Sequence, residues 1–303
     1  MRRYPSAVGD DCVVLSEADL ESAGPVSRTT PRPPDVEERV AVRRRVDLPG
    51  VEHWRVEASS RLWTAYHERY AFCVAHRSPG PGAWRYRRRT YRMSESTTTM
   101  LIAPGEVHVT TQTPLASFQV VMMDPVVIQR EFGDAMPAAL RNFSGGQADH
   151  SIVARRFSSL CRAIEDPDAD GLERRTLLRQ FLLAAVCAEH DTPGRMFSAG
   201  CERAVMQVRE MINSCLHQNF TLELFEHVTN VSRFHLERSF HAKVGVPIHR
   251  YLKLVRLERA QALLRSGRSA TEAAHCTGFF DSAHLNRAFK AELGITPGSY
   301  ARS

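Results

Sequence analysis

One stretch of this chain is written twice. Residues 232–251 and 281–300 share seven identities in twenty positions at one fixed offset of 49. His235 falls on His284, Leu236 on Leu285, Arg238 on Arg287, Phe240 on Phe289, Ala242 on Ala291, Gly245 on Gly294 and Tyr251 on Tyr300. Such self-similarity means that one supersecondary unit is used twice. Each copy has the order short helix, tight turn, second helix. The short helices are read at Leu222–Val228 and Thr271–Cys276, the turns at Asn230 and Gly278, and the cap positions at Ser232 and Asp281. Leu236 and Phe240 lie four apart, as do Leu285 and Phe289, so each pair faces a core. The outer faces then carry Arg233, Phe234, Glu237 and Arg238 in the first unit, and Ser282, Ala283, Asn286 and Arg287 in the second. Arg, Asn, Ser and Glu pair with base edges, and Phe or Ala meets a thymine methyl. Against this stands the plainer reading of Arg238 and Arg287 as surface arginines paired with carboxylates.

The connector between the units suits double-stranded DNA. Some 18 helical residues between Pro247 and Arg265 span about 27 Å. With the flanking turns this approaches the ~34 Å between successive major grooves. The charge is distributed accordingly. The 303 residues carry a formal net charge of +6, and residues 201–303, with 14 Lys+Arg against 9 Asp+Glu, hold +5 of it. A concentrated basic excess attracts nucleic acid where a diffuse one does not. Arg250, Arg268 and Lys290 are the expected phosphate contacts.

The remaining two thirds call for a second core, since single cores seldom grow past about 250 residues. Between 50 and 125, short β-branched and aromatic runs (Trp54–Ala58, Tyr70–Ala75, Thr98–Ile102, Ala116–Met122) are separated by breaks such as Pro79-Gly80-Pro81-Gly82 and Pro104-Gly105. This spacing reads as an antiparallel sandwich or barrel. From 126 to 190 the period becomes helical. Leu177, Leu178, Phe181, Leu182, Ala185 and Val186 form an apolar stripe that packs on its own barrel or on a second subunit. The expected class is α+β in two domains: a poorly ordered extension over 1–45, a barrel over 46–125, helices over 126–190, a linker over 191–200, and an all-α domain with two helix-turn-helix units over 201–303.

Three runs now carry a family resemblance: Arg256-Leu257-Glu258-Arg259-Ala260 with Leu263-Leu264, then Gly278-Phe279 with Asp281, then Arg287, Phe289-Lys290, Gly294-Ile295-Thr296-Pro297 and Tyr300. Together they resemble the C-terminal signature of AraC/XylS-type transcription regulators. The resemblance covers about 100 residues. It implies a seven-helix domain whose two recognition helices enter the major groove, with the eight outer residues above contacting bases. It also implies RNA polymerase as a partner. The chain departs from the pattern at Glu226, Asn230 and Ala283. Asn tolerates the left-handed conformation, so the first turn is expected to survive; Glu226 tilts outward or marks a register one residue off. Further upstream, Pro104-Gly105-Glu106-Val107-His108 and His67-Glu68-Arg69-Tyr70 resemble the jelly-roll, cupin-like sensor domains that precede this unit. That resemblance implies a small-molecule effector inside the barrel and a homodimer formed by the following helices.

Trp63, Tyr66, His67, Tyr70, Trp84 and His108 are the candidate cavity residues, and each can equally be plain core. His67 and His108, with Glu106 or Glu68, could instead ligate a metal. A cupin-type metalloenzyme with an accessory helical domain is thus the alternative function, weakened by an incomplete ligand set. The seven cysteines form no Cys-x-x-Cys pair, and Cys12 stands alone, which disfavours a cysteine-ligated, alkyl-accepting protein. Arg85, Arg87, Arg88, Arg89 and Arg92 read as a solvated strand edge or a trap for an anion. No catalytic residue, metal or cofactor is assigned. No apolar run approaches the ~20 residues that span a bilayer, and the chain reads as cytoplasmic, with no membrane partner.

Overall fold

The computed structural model describes residues 37–76, 82–87, 89–93, 98–112, 116–133, 146–148, 151–188 and 199–303. Most of the expected 1–45 extension and of the 191–200 linker lies outside these. The described part of the extension corrects the expectation: Arg39–Arg44 is a strand, β1, antiparallel to β2 (Val51–Ser59). The run Arg43-Arg44-Arg45 is held by other parts of the chain. Arg44 pairs with buried Glu52 at 2.7 Å, and Arg45 donates to the carbonyl oxygen of Ile164 at 2.6 Å.

The further strands are β3 (Thr64–His67), β4 (Tyr70–His76), β5 (Gly82–Tyr86), β6 (Arg89–Met93), β7 (Thr98–Ile102), β8 (Glu106–Gln112), β9 (Ala116–Met123) and β10 (Gly146–Ala148). Among the described residues they form two antiparallel sheets, ordered β1-β2-β9-β4-β7-β10 and β3-β8-β5-β6. Side chains alternate across a strand. In β4, Ala71, Cys73 and Ala75 join the core between the sheets, whereas Phe72 and Val74 join a core on the opposite face. The large sheet is therefore buried on both sides, and its strands read as unbroken apolar runs for that reason.

Helices α1 (Pro125–Phe132), α2 (Ser151–Glu165) and α3 (Gly171–Cys187) cover the outer face of the large sheet. The apolar stripe of α3 is used there: Leu178, Phe181, Leu182 and Ala185 are buried, and Phe181 meets Phe72 edge-on with ring centroids 5.1 Å apart. Of the two partners open to that stripe, the chain's own sheet takes it.

The C-terminal domain comprises α4 (Ala199–Ser214), α5 (Leu222–Thr229), α6 (Arg233–Val244), α7 (Ile248–Arg265), α8 (Ala270–Cys276), α9 (Ser282–Leu293) and α10 (Pro297–Ala301). Its seven helices match the number the resemblance implies. Among the described residues, no helix is long and apolar enough to cross a membrane. The domain is packed on the barrel. The first unit shares a core with Tyr66 and Val107 of the small sheet, and the second unit shares one with Trp54, Trp84 and Tyr91.

Candidate nucleic-acid interface and ligand cavity

The two repeat copies fold alike. Leu236, Phe240, Leu285 and Phe289 are fully buried. Each such side chain removed from water contributes about 1.5–3 kcal/mol. Both turns are left-handed, Asn230 at φ 52° and Gly278 at φ 76°. At Gly278 two demands coincide. A Cβ there would also lie 2.7 Å from the carbonyl oxygen of Leu216. Glu226 is half-buried, next in sequence to the core residue Phe225. Asp281 caps α9 by accepting from the backbone N–H of His284 at 2.6 Å; Ser232 occupies the matching position without a side-chain cap bond.

Phe234, Arg238, Ala283, Asn286 and Arg287 are exposed, and Ser282 is half-exposed at the first turn of α9. Phe234 is 75% exposed, which no folding argument favours for a phenylalanine. Arg233 is exposed and ion-paired with Glu223 at 3.1 Å, a pair between two solvated side chains and worth little. Glu237 has a partner within its own domain. It is half-buried, and its carboxylate accepts from the backbone N–H of Ile248 at 3.4 Å, at the N-terminus of α7 where a negative charge is favoured. Arg250 has one as well. Both of its terminal nitrogens go to Glu292, at 2.8 and 2.7 Å, and Lys253 joins the same carboxylate at 2.9 Å. Arg250 thus ties α7 to α9. Arg268 pairs with Glu272 at 3.2 Å on the surface, and Lys290 is exposed in the last turn of α9.

The barrel grips the C-terminal end of each recognition helix. Arg85 Nη2 donates to the carbonyl oxygen of Gly245 at 2.6 Å, and Arg61 Nη1 donates to that of Ala291 at 2.9 Å. These are the negative poles of α6 and α9, where a cation is stabilising. Arg85 therefore reaches across to the DNA-binding domain rather than forming a solvated edge. Between the two grips runs a buried ionic network. Glu52 in β2 accepts from Arg44, from the indole of Trp54 at 2.6 Å and from the phenol of Tyr300 at 2.9 Å. Arg69 lies between Glu52 (3.4 Å) and Glu258 of α7 (3.2 Å). Burial pushes both carboxyls up, but the surrounding arginines outweigh it. Glu52 ends below its ordinary value, and Glu258, with His67 adding to the effect of Arg69, is lowered to about 2. Nothing in the linear pattern marked this network, since its partners stand 189 and 248 residues apart.

Inside the barrel lies a cavity of about 90 Å³. Trp63, His67 and His108 line it as expected. Tyr66, Tyr70 and Trp84 do not. Tyr66 sits on the other face of β3 and packs against Tyr251 of α7, Tyr70 belongs to the helix-covered side of the large sheet, and Trp84 is stacked on Tyr91 with centroids 4.8 Å apart. Strand alternation accounts for two of them: Ala65 and His67 point inward, so Tyr66 between them cannot, and Tyr70 shares its face with Phe72; Trp84 faces the core between the sheets but does not line the cavity. The wall is completed by Gln261 of α7 and Leu293 of α9, both from the DNA-binding domain. Among the described residues no group of three or more His, Cys, Asp or Glu is placed to hold a metal ion.

A helix-turn-helix domain family model matches residues 227–303, from the end of α5 to the C-terminus. This chain carries an AraC-type helix-turn-helix domain. The AraC-type domain is 34% identical over 81 residues to the HTH-type transcriptional regulator YbfI of Bacillus subtilis, covering 27% of this chain and 30% of that one. It is 34% identical over 97 residues to the HTH-type transcriptional activator RhaR of Yersinia pseudotuberculosis, covering 30% and 33%. The chain spans about a third of the length of the curated relatives it matches. Among solved structures, ToxT from Vibrio cholerae O395 aligns over 83% of this chain and 96% of its own, at 10% identity and a TM-score of 0.47.

Proposed function

We propose that this chain is a sequence-specific, DNA-binding transcription regulator, an activator that answers to a small molecule held in the barrel cavity. One observation carries the reading. Two helix-turn-helix units present Arg238 and Arg287 at equivalent exposed positions, opposite the buried faces Leu236/Phe240 and Leu285/Phe289. The 18-residue α7 joins them over about 27 Å, which suits two successive major grooves. The cavity wall contributed by Gln261 and Leu293 gives a bound molecule a direct hold on the DNA-binding domain. RNA polymerase as partner and the cytoplasm as site of action belong to the same reading. So does a homodimer, which would use the outer side of α2 and α3, where Ile152, Leu172 and Leu183 are exposed.

Selection of bound duplexes from a random library by the full chain tests this. Enriched sites are expected to hold two short motifs about one helical turn apart, ~10 bp. Recovery of no preferred sequence at physiological salt would sink the reading. Sedimentation of the wild type against Leu183→Glu tests the dimer: a wild-type monomer removes it.

A further inference from the structure

The cavity wall is apolar over most of its area, formed by Trp54, Trp63, Met100, Phe118, Met122 and Leu293. No Lys, Arg, Asp or Glu lines it among the described residues. The nearby charges are already matched to one another: Arg69 lies between Glu52 and Glu258, and His67 turns Nδ1 toward Glu258 at 3.7 Å. Burial, with His67 beside it, lowers His108 to about 3, so at neutral pH that imidazole is uncharged. An anion or cation entering here would lose its hydration and meet no counter-charge, a cost that excludes it.

Three wall residues carry a polar atom without a hydrogen-bond partner among the described residues: Oε1 of Gln261, Nδ1 of His108 and Nδ1 of His67, the last of which faces Glu258 at 3.7 Å. Gln261 is 4% exposed. Its amide nitrogen faces the Glu258 carboxylate at 3.4 Å. A carboxylate only accepts, so this contact assigns the nitrogen and leaves the amide oxygen as the unpartnered acceptor of a cavity-lining residue. A buried acceptor without a donor is unfavourable, and a ligand that supplies one relieves it. In volume the cavity holds roughly six to nine water-sized groups, the scale of a single substituted ring.

We propose that the cavity takes an uncharged, mainly apolar molecule of about one ring in size that carries a hydrogen-bond donor, and that Gln261 Oε1 receives this donor. The inference rests on the cavity being the effector site. It adds the chemical class of the effector and the atom of the DNA-binding domain that senses it. Apolar contacts to the barrel hold the body of the ligand, while its donor holds α7, so occupancy ties the connector between the two reading units to the sheet below.

Three shape-matched probes test this on the full chain at pH 7, with the fluorescence of Trp54 and Trp63 as signal: p-cresol (neutral, one donor), toluene (neutral, no donor) and p-toluate (anionic). Saturable binding of p-cresol is expected, with toluene about tenfold weaker or more and p-toluate without effect. In Gln261→Met the p-cresol preference over toluene disappears. Binding of p-toluate as tight as that of p-cresol overturns the proposal, as does no saturable response to p-cresol. So does equal binding of p-cresol and toluene by the wild type, a comparison that needs no variant to fold. An unchanged preference in a folded Gln261→Met overturns the role of Gln261. A gel-shift assay on the selected duplex, run in parallel, keeps the two readings apart. Lost probe selectivity with DNA binding intact removes this inference alone; absent DNA binding with selectivity intact removes the regulator reading and leaves the site.

Discussion

The phenol of Tyr300 donates a hydrogen bond of 2.9 Å to Glu52, 248 residues earlier in the chain, and so joins the last helix of the DNA-binding domain to the second strand of the barrel. Arg44 lies over the same ring at 4.4 Å, and Arg265 donates to the phenol oxygen at 2.9 Å. The matched tyrosine of the first unit, Tyr251, also meets the barrel, but through an edge-on ring contact with Tyr66 at 5.4 Å. Tyr300→Phe removes one donor from a carboxylate that stays buried. A loss of about 1–3 kcal/mol in unfolding free energy is expected from equilibrium denaturation. An unchanged midpoint would mean that Arg44, Arg69 and Trp54 satisfy Glu52 without it.

Acid should loosen the same junction. The folded-state values of Glu52 and Glu258 lie below the ordinary 4.5, and that of Glu258 is about 2. A depressed carboxyl contributes stability that is fully present above the unfolded value and is lost as pH falls through the folded one. The contribution is expected to hold above pH ~4.5 and to disappear toward pH 2. His108 adds an earlier slope. Its folded value of about 3 lies below the ordinary 6.5, so the unfolded chain binds more protons between these limits and stability already declines below pH ~6.5. Thermal denaturation from pH 8 to 2 checks both, and His108→Phe should flatten only the upper part. A curve flat between pH 6.5 and 4.5 would contradict the His108 assignment.

Gly278→Ala meets two obstacles at once, a left-handed backbone at φ 76° and a carbonyl oxygen 2.7 Å from the new Cβ. The left-handed conformation alone costs an alanine about 1–2 kcal/mol, and the clash with backbone adds to it. Asn230→Ala in the first unit faces only the conformational cost, since Asn230 is exposed. Denaturation midpoints should fall more for Gly278→Ala than for Asn230→Ala; the reverse order would refute the packing argument.

Arg287→Ala and Arg238→Ala are expected to weaken binding to the selected duplex by about 1–3 kcal/mol each and to relax the preference at one base position. Arg250→Ala should behave differently. Its partner Glu292 is largely buried, so losing the bidentate pair lowers stability and leaves base preference unchanged. Gel shifts on matched and single-mismatch duplexes, beside denaturation curves, separate the two behaviours. Relaxed base preference in Arg250→Ala would contradict this assignment.

Much of the AraC-type domain was legible in the linear pattern because its signals are local. A 49-residue offset placed both units, helical spacing named the four side chains that prove fully buried, and Asn230 and Gly278 marked both turns. Glu237 and Arg250 have partners that the linear pattern does not show, for a physical reason. An exposed position on a helical wheel says nothing about a neighbouring helix that reaches the same side chain, and both are taken by elements of their own domain, α7 for Glu237 and α9 for Arg250.

In the barrel, the apolar runs by themselves identified four strands of the large sheet, because that sheet is buried on both faces. They did not reveal β1, whose arginines look solvated until Glu52 and the carbonyl of Ile164 receive them. Three of six expected cavity residues line the cavity; aromatic character picked all six, but strand parity turns Tyr66 and Tyr70 away, and Trp84 faces the core between the sheets, stacked on Tyr91, without lining the cavity. The sequence by itself thus determined the two helix-turn-helix units with their buried faces and four strands of the large sheet, since periods of two and 3.6 residues are written over a few neighbouring positions. Only the tertiary structure decided that the reading units are clamped to the barrel through Arg61, Arg85 and the Glu52–Arg69–Glu258 network, and that Gln261 closes the cavity. Those contacts join positions as much as 248 residues apart, and complementarity of charge and shape at that separation leaves no periodic trace in the chain.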